Sequence, residues 1–210
     1  LLVLVILCMI LARNSAMGFN RWLDRHFDTI NPRTAGREIP AGLISARSAL
    51  LFVIINSLLF MAATWFINPL CFLLSPVALF ILLFYSYTKR ITALSHFFLS
   101  LGLGIAPIGA YLALTARFDW LPLLLSMVVF FWVSGFDIIY ALQDEEFDKE
   151  TRLKSIPALV GKAKALHISE SVHVVTALLV IFIAVMIRGG ILHWCGAAVF
   201  IGLLFNQHTL

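Results

Sequence analysis

Charge is what this 210-residue chain has least of: 12% of its residues are Asp, Glu, Lys or Arg, while 61% are hydrophobic. A soluble domain carries about 25% charged and about 45–50% apolar residues. Together with a mean hydropathy of +0.99, this excludes a water-soluble enzyme. Disorder, collagen and coiled coil fail on the same composition. Cysteine is also scarce. Cys8, Cys71 and Cys195 stand far apart in apolar surroundings, with no CxxC pair and no Cys/His ligand spacing. A zinc site and a disulfide framework are therefore excluded, and the three read as small buried hydrophobes. The net charge of +4 is too small to point to nucleic acid as a partner. Leu1 opens the chain inside an apolar run, without an initiator Met or a charged n-region, so this run is not expected to be a signal peptide. The expectation is a polypeptide whose first segment is missing.

Long apolar runs are what the chain does have. A spanning helix needs about 20 apolar residues, so seven spans would use about 140 and leave roughly 70 for loops. Seven runs are found: Leu1–Phe19, Ser48–Ile67, Leu70–Tyr87, His96–Thr115, Leu121–Leu142, His167–Ile187 and Ile191–Phe205. The fold class is thus all-α, a polytopic transmembrane helical bundle. The absence of repeats or linkers makes residues 1–210 one domain. The uncharged Asn68-Pro69 connection reads as a tight hairpin between spans two and three.

The cations orient the bundle. Arg13, Arg21, Arg25, Arg33, Arg37, Arg47, Lys89, Arg90, Lys149, Arg152, Lys154, Lys162 and Lys164 lie on or beside the first, third and fifth loops. Arg117 and Arg188 alone lie opposite. Positive residues mark the cytoplasmic side, so those three loops are expected to face the cytoplasm.

Acids gather on that same side without being needed for orientation. After span one, NRWLDRHFD places Asn20, Asp24 and Asp28 four residues apart, in one drifting column on a helix, with Arg13 about two turns earlier. A column of oxygen ligands among cations suits a hard divalent metal that also holds phosphate. It equally suits a solvated amphipathic helix end. At the close of span five, DIIYALQDEEFD places Tyr140, Asp144 and Asp148 at the same spacing, with Asp137 seven before Asp144. Asp137 is embedded in an apolar run, where an ionisable group is by default functional. Glu145 and Glu146 read as solvated. Spans one, three and five exit on one side, so both columns, the YSYTKR group (Tyr85, Tyr87, Lys89, Arg90) and an arginine-rich loop converge at one mouth. Facing carboxylates repel. A pair of Mg²⁺ ions bridging to a diphosphate, with Arg and Lys on the outer phosphate oxygens, resolves the conflict.

These motifs resemble the UbiA superfamily of intramembrane aromatic prenyltransferases, most closely its 4-hydroxybenzoate polyprenyltransferase-like branch. The family's NDxxDxxxD motif is met by Asn20, Asp24 and Asp28, with Arg21 in place of the second-position Asp. Its second motif is met by Asp137, Tyr140, Asp144 and Asp148. NPRTAGREIPAG resembles the loop after motif one and places Arg33, Thr34, Arg37 and Gly42; YSYTKR and KSIP place Lys89 and Lys154. The resemblance covers essentially the whole chain.

It implies transfer of a polyprenyl group from polyprenyl diphosphate to a small aromatic acid, with Mg²⁺ on Asn20, Asp24, Asp28, Asp144 and Asp148. Arg33, Arg37, Lys89 and Lys154 would bind the diphosphate. Asp137, Tyr140 and Tyr85 are the catalytic candidates, facing the carbocation or orienting the phenol. It also implies nine helices, of which the first and last have no counterpart here, so a fragment is expected. The implied setting is a bacterial-type inner membrane with the active site facing the cytoplasm. The lipid bilayer is then a partner, and no obligate protein partner is evident.

Two alternatives stay open from the sequence. The acceptor could be a naphthoate, as in menaquinone biosynthesis, instead of 4-hydroxybenzoate as in ubiquinone biosynthesis. From another class, a transporter with an acidic mouth would also place acids in spans, although the span middles here are nearly free of charge. A retinal protein would need a lysine in its last span, and a CDP-alcohol phosphotransferase a compact Gly-containing acid motif; both are absent. The histidines read as structural or interfacial, His96 and His193 at span ends and His173 inside span six.

Overall fold

The computed structural model describes residues 1–208; Thr209 and Leu210, with which the sequence reading ends the domain, lie outside the described residues. The described residues form nine α-helices and no strand. They are α1 (Leu2–Ile30), α2 (Ala46–Trp65), α3 (Pro69–Thr88), α4 (Ser95–Thr115), α5 (Trp120–Tyr140), α6 (Glu145–Glu150), α7 (Ile156–Val160), α8 (Lys162–Met186) and α9 (Ile191–Asn206). Helices α1 to α5 and α8 are long and apolar enough to cross a membrane, α5 being counted with its extension to Glu150. Helix α9, expected as a seventh span, is apolar but only 16 residues long. The chain is an integral, multi-pass membrane protein.

Its outer surface is apolar, with Leu2, Leu58, Leu73, Phe80, Val199 and Leu203 all exposed. The interior mixes apolar side chains such as Leu11, Phe60 and Ile138 with small polar ones. Ser15, Ser75, Ser100, Ser134, Ser169 and Thr176 are buried, because lipid-embedded helices associate through close backbone approach and interhelical hydrogen bonds. Helix α1 packs on α2 and α3, α4 on α3 and α5, α8 on α5, and α9 on α8. At the α4–α5 crossing, a Cβ on Gly104 would lie 3.1 Å from the Ser126 carbonyl oxygen, so any larger residue would push the helices apart by a few tenths of an ångström. At α5–α8, Ser169 donates to the Gly135 carbonyl at 2.7 Å. Pro107 lies inside α4 and cannot donate to the helical ladder. The next N–H, of Ile108, finds the Ser126 hydroxyl of α5 at 3.2 Å.

Two boundaries differ from the sequence expectation, each for a local reason. The first helix does not stop near Phe19 but runs through the whole Asn20–Asp28 column, and the proline at 32 ends it. A residue before proline is driven out of the α region, and Asn31 takes φ −85°, ψ 116° as the C-cap. The second column is not one helix. After Tyr140 the backbone tightens into a 3-10 turn, Ala141–Asp144, before α6 begins. Glu145, Glu146 and Asp148 fill the first turn of α6, where the positive end of the helix dipole favours acids. Of the cysteines, Cys8 is buried as expected, Cys71 partly so, and Cys195 is exposed.

Candidate active site

One end of the bundle holds a cavity of about 220 Å³ whose wall includes Asn20, Asp24, Asp28, Tyr85, Lys89, Asp137, Tyr140, Asp144 and Asp148, together with Arg33 and Arg37. Of the twelve site residues expected from sequence, Lys154 alone lies off this wall. Its ammonium donates to the Ile91 carbonyl at 3.0 Å, while its N–H ties to the Lys89 carbonyl at 2.7 Å. Arg13 also stays apart, exposed and donating to Met17.

The first column is cross-braced. Asn20 donates to Asp24 at 3.2 Å, one turn along α1. Arg90, from the end of α3, reaches Asp24 at 3.2 Å and the Leu23 carbonyl at 2.8 Å. Its guanidinium lies over the rings of Phe27 and Tyr87. Asp28 is buried, and Arg37 from the following loop holds both its oxygens at 2.8 and 2.9 Å. Arg21, standing in the acid's place in the first motif, pairs with Glu38 on the exposed side.

The second column takes its counter-charge from the loop of the first. Arg33 grips Asp144 with two N–H groups and touches the Tyr140 hydroxyl at 3.2 Å. Asn31 adds a hydrogen bond to Asp144 at 3.3 Å, and its own side-chain oxygen accepts from the Arg33 N–H at 2.9 Å. The bond to Asp144 raises the pKa of Arg33 above its ordinary value, so this guanidinium stays charged. Lys89 sits on the wall within electrostatic reach of both Asp24 and Asp144.

Asp148 is the exception. It is 2% exposed, and among the described residues its Oδ2 has no hydrogen-bond partner. An unsatisfied buried carboxylate oxygen is costly, and a hard cation is the partner such an oxygen takes. Among the described residues no three His, Cys, Asp or Glu side chains close on a common point; arginines hold three of the acids instead. The donor set of carboxylates and one amide, with one oxygen unpartnered, fits Mg²⁺ by type.

Three residues that sequence reading left without a site role belong to this end of the bundle. Asn31 braces Asp144, Arg90 neutralises Asp24, and His96 is fully buried with Nδ1 2.7 Å from Asp137 Oδ2. The antiparallel course of spans four and five already placed His96 and Asp137 at one depth, and that was the available signal.

Comparison with known proteins places the chain in a family. The model of the UbiA prenyltransferase family matches residues 1–210. A 4-hydroxybenzoate octaprenyltransferase from Tolumonas auensis is 31% identical over 157 residues, covering 75% of this chain and 55% of that protein. The chain thus spans about half the length of this relative. An apo structure of a UbiA homolog from Aeropyrum pernix K1 superposes with a TM-score of 0.91 at 31% identity, covering 99% of this chain and 78% of that one. A UbiA homolog from Archaeoglobus fulgidus, bound to DMAPP and Mg²⁺, shares the fold with a TM-score of 0.80 at 23% identity, covering 99% and 74%. The chain belongs to the UbiA prenyltransferase family, closely related to its 4-hydroxybenzoate polyprenyltransferase branch.

Proposed function

We propose that the protein transfers a polyprenyl group from polyprenyl diphosphate to an aromatic acceptor, 4-hydroxybenzoate, at the cavity between the two acid columns. The observation that carries this reading is Asp148, a buried carboxylate with an unpartnered oxygen on a wall that also holds Asn20, Asp24, Asp28 and Asp144 and three cations. The family match, the 4-hydroxybenzoate relative and the DMAPP and Mg²⁺ of the Archaeoglobus fulgidus homolog support it. Asn20, Asp24, Asp28, Asp144 and Asp148 would hold Mg²⁺, which supplies positive charge to the leaving diphosphate.

The allylic C–O bond breaks with its electron pair leaving on the diphosphate. A ring carbon of the acceptor closes on the allylic carbon, and the displaced ring proton leaves to solvent at the open mouth. Negative charge grows on the diphosphate in the transition state, and Arg33, Arg37 and Lys89 are fixed beside it before reaction. Groups preorganised in this way do their work at the moment charge separates, and losing one costs about 10²–10³ in rate. Lys154, at the rim, must leave the Ile91 carbonyl to join them. Asp137, Tyr140 and Tyr85 face the acceptor and the allylic cation. The cavity falls below the roughly 300–1,000 Å³ of pockets that enclose drug-sized ligands, so a polyprenyl tail passes out between the apolar helices into the bilayer. The cation bias supports a mouth on the cytoplasmic side, and the bacterial relative supports an inner membrane as its setting.

The test is full-length protein in membranes, given polyprenyl diphosphate and 4-hydroxybenzoate with and without Mg²⁺, and mass spectrometry of the lipid extract. Mg²⁺-dependent prenylated hydroxybenzoate is the expected product. Prenylation of a naphthoate alone, offered in parallel, replaces the acceptor and keeps the chemistry. No prenylated ring with either acceptor overturns the proposal.

A further inference from the structure

Asp137 differs both from the arginine-paired acids of the cavity and from Asp148, whose Oδ2 is unpartnered among the described residues. Asp24, Asp28 and Asp144 each meet an arginine. Among the described residues Asp137 meets no Lys or Arg, and its one hydrogen bond is to His96. The state of that histidine is set by its second partner. The backbone N–H of Ile156, at the start of α7, points to His96 Nε2 at 3.3 Å. A backbone N–H can only donate, so Nε2 carries the lone pair and the proton of the neutral ring sits on Nδ1. His96 therefore donates to Asp137 Oδ2. With its own side chain 0% exposed, the ring has one orientation and one tautomer. Asp137 is 22% exposed, on the cavity wall, and among the described residues nothing hydrogen-bonds to its Oδ1.

We propose that His96 is a positioning residue for the transfer: it holds the Asp137 carboxylate so that Oδ1 accepts the hydroxyl of the aromatic acceptor and fixes how the ring docks. The proposal rests on the aromatic prenyl transfer assigned to this cavity. An arginine in place of His96 would bind both oxygens, as Arg37 does at Asp28. A single neutral donor leaves one oxygen free for a neutral phenol. The arrangement also links the acceptor to α7, because Ile156 selects the tautomer.

The experiment compares wild type, His96→Leu and His96→Gln as full-length protein in membranes, with kcat and KM measured separately for each substrate. Glutamine can offer an amide N–H to Asp137 and an amide oxygen to Ile156; leucine offers neither. The expected result is a loss of about 10²-fold in kcat/KM for 4-hydroxybenzoate in His96→Leu, the scale of a small misplacement of a reacting group. KM for polyprenyl diphosphate should stay within about threefold, and His96→Gln should recover most of the loss. A His96→Leu protein with wild-type kinetics overturns the proposal, as does equal impairment of both variants or of both substrates.

A second measurement needs no turnover and no leucine variant. Nitrogen-15 NMR of histidine-labelled wild type in nanodiscs should show one neutral ring protonated at Nδ1. That signal should be absent from His96→Gln and should move on adding 4-hydroxybenzoate. A ring protonated at Nε2, or one indifferent to the acceptor, overturns the proposal. Wild type that prenylates no ring overturns the underlying function instead, so the two failures are distinguishable.

Discussion

The first acidic cluster stands on an unbroken α-helix, and both its aspartates meet arginines from neighbouring segments, Arg90 at Asp24 and Arg37 at Asp28. The second straddles a 3-10 turn, takes one arginine from the first cluster's own loop, and leaves Asp148 with a bare oxygen. Equal spacing in sequence has therefore produced unequal sites. A regular helix repeats a side chain's direction every four residues, so the first column is neutralised along its length. A tighter turn rotates the residues beyond it, and Asp144 and Asp148 are presented to different partners. Each aspartate of the first cluster has its arginine, whereas in the second Asp137 and Asp148 meet no Lys or Arg among the described residues.

The largest test of this contrast is whether both clusters are indispensable despite it. Asp24→Asn and Asp144→Asn should each cut product by at least about 10²–10³-fold, the scale of a lost preorganised electrostatic contact. Mass spectrometry measures product, and size-exclusion profiles should stay unchanged. Normal product from either variant breaks the shared role.

Stability without Mg²⁺ separates the clusters. Asp28→Asn leaves Arg37 partly unpaired and should lower Tm, by about 1–3 kcal/mol in free energy. Asp148→Asn removes a buried, uncompensated oxygen charge and should leave Tm unchanged or raise it. Equal falls in the two variants would erase the difference.

Arg33→Met tests the link between the clusters. KM for polyprenyl diphosphate should rise about tenfold. The stability change should be about 1 kcal/mol, since Arg33 is 35% exposed and solvent screens the pair. Smallest of all, Arg21→Ala, which removes the exposed pair with Glu38, should shift stability by no more than about 0.5 kcal/mol and leave turnover alone. A large loss there would show that the exposed face of the first column matters.

What could be read from sequence was whatever repeats locally. Asn20, Asp24 and Asp28 fall on one face because helical spacing is periodic, and lysine and arginine placement orients spans one residue at a time. Helix α7 and the 3-10 turn carry no such period; five and four residues are too few to show one. The pairings at the site lay further out of reach. Arg33 meets Asp144 across 111 residues, and His96 meets Asp137 across 41. Topology puts such groups at one depth, but only packing decides that Asp137 takes a histidine while Asp144 takes an arginine. Lys154 shows the converse, a motif residue at the right level whose ammonium turns to a backbone carbonyl instead.

The grip of Arg33 on Asp144 also sets an order of assembly. The chain is made from its N-terminus at roughly 5–20 residues per second, so Asp144 leaves the ribosome roughly 5–20 s after Arg33. For that interval the loop after α1 has no carboxylate from the second cluster to close on. The cavity between the two clusters is therefore incomplete while the first four spans enter the membrane, and it closes when the end of the fifth arrives. A nascent chain halted before that point would carry the whole first motif without the wall that faces it.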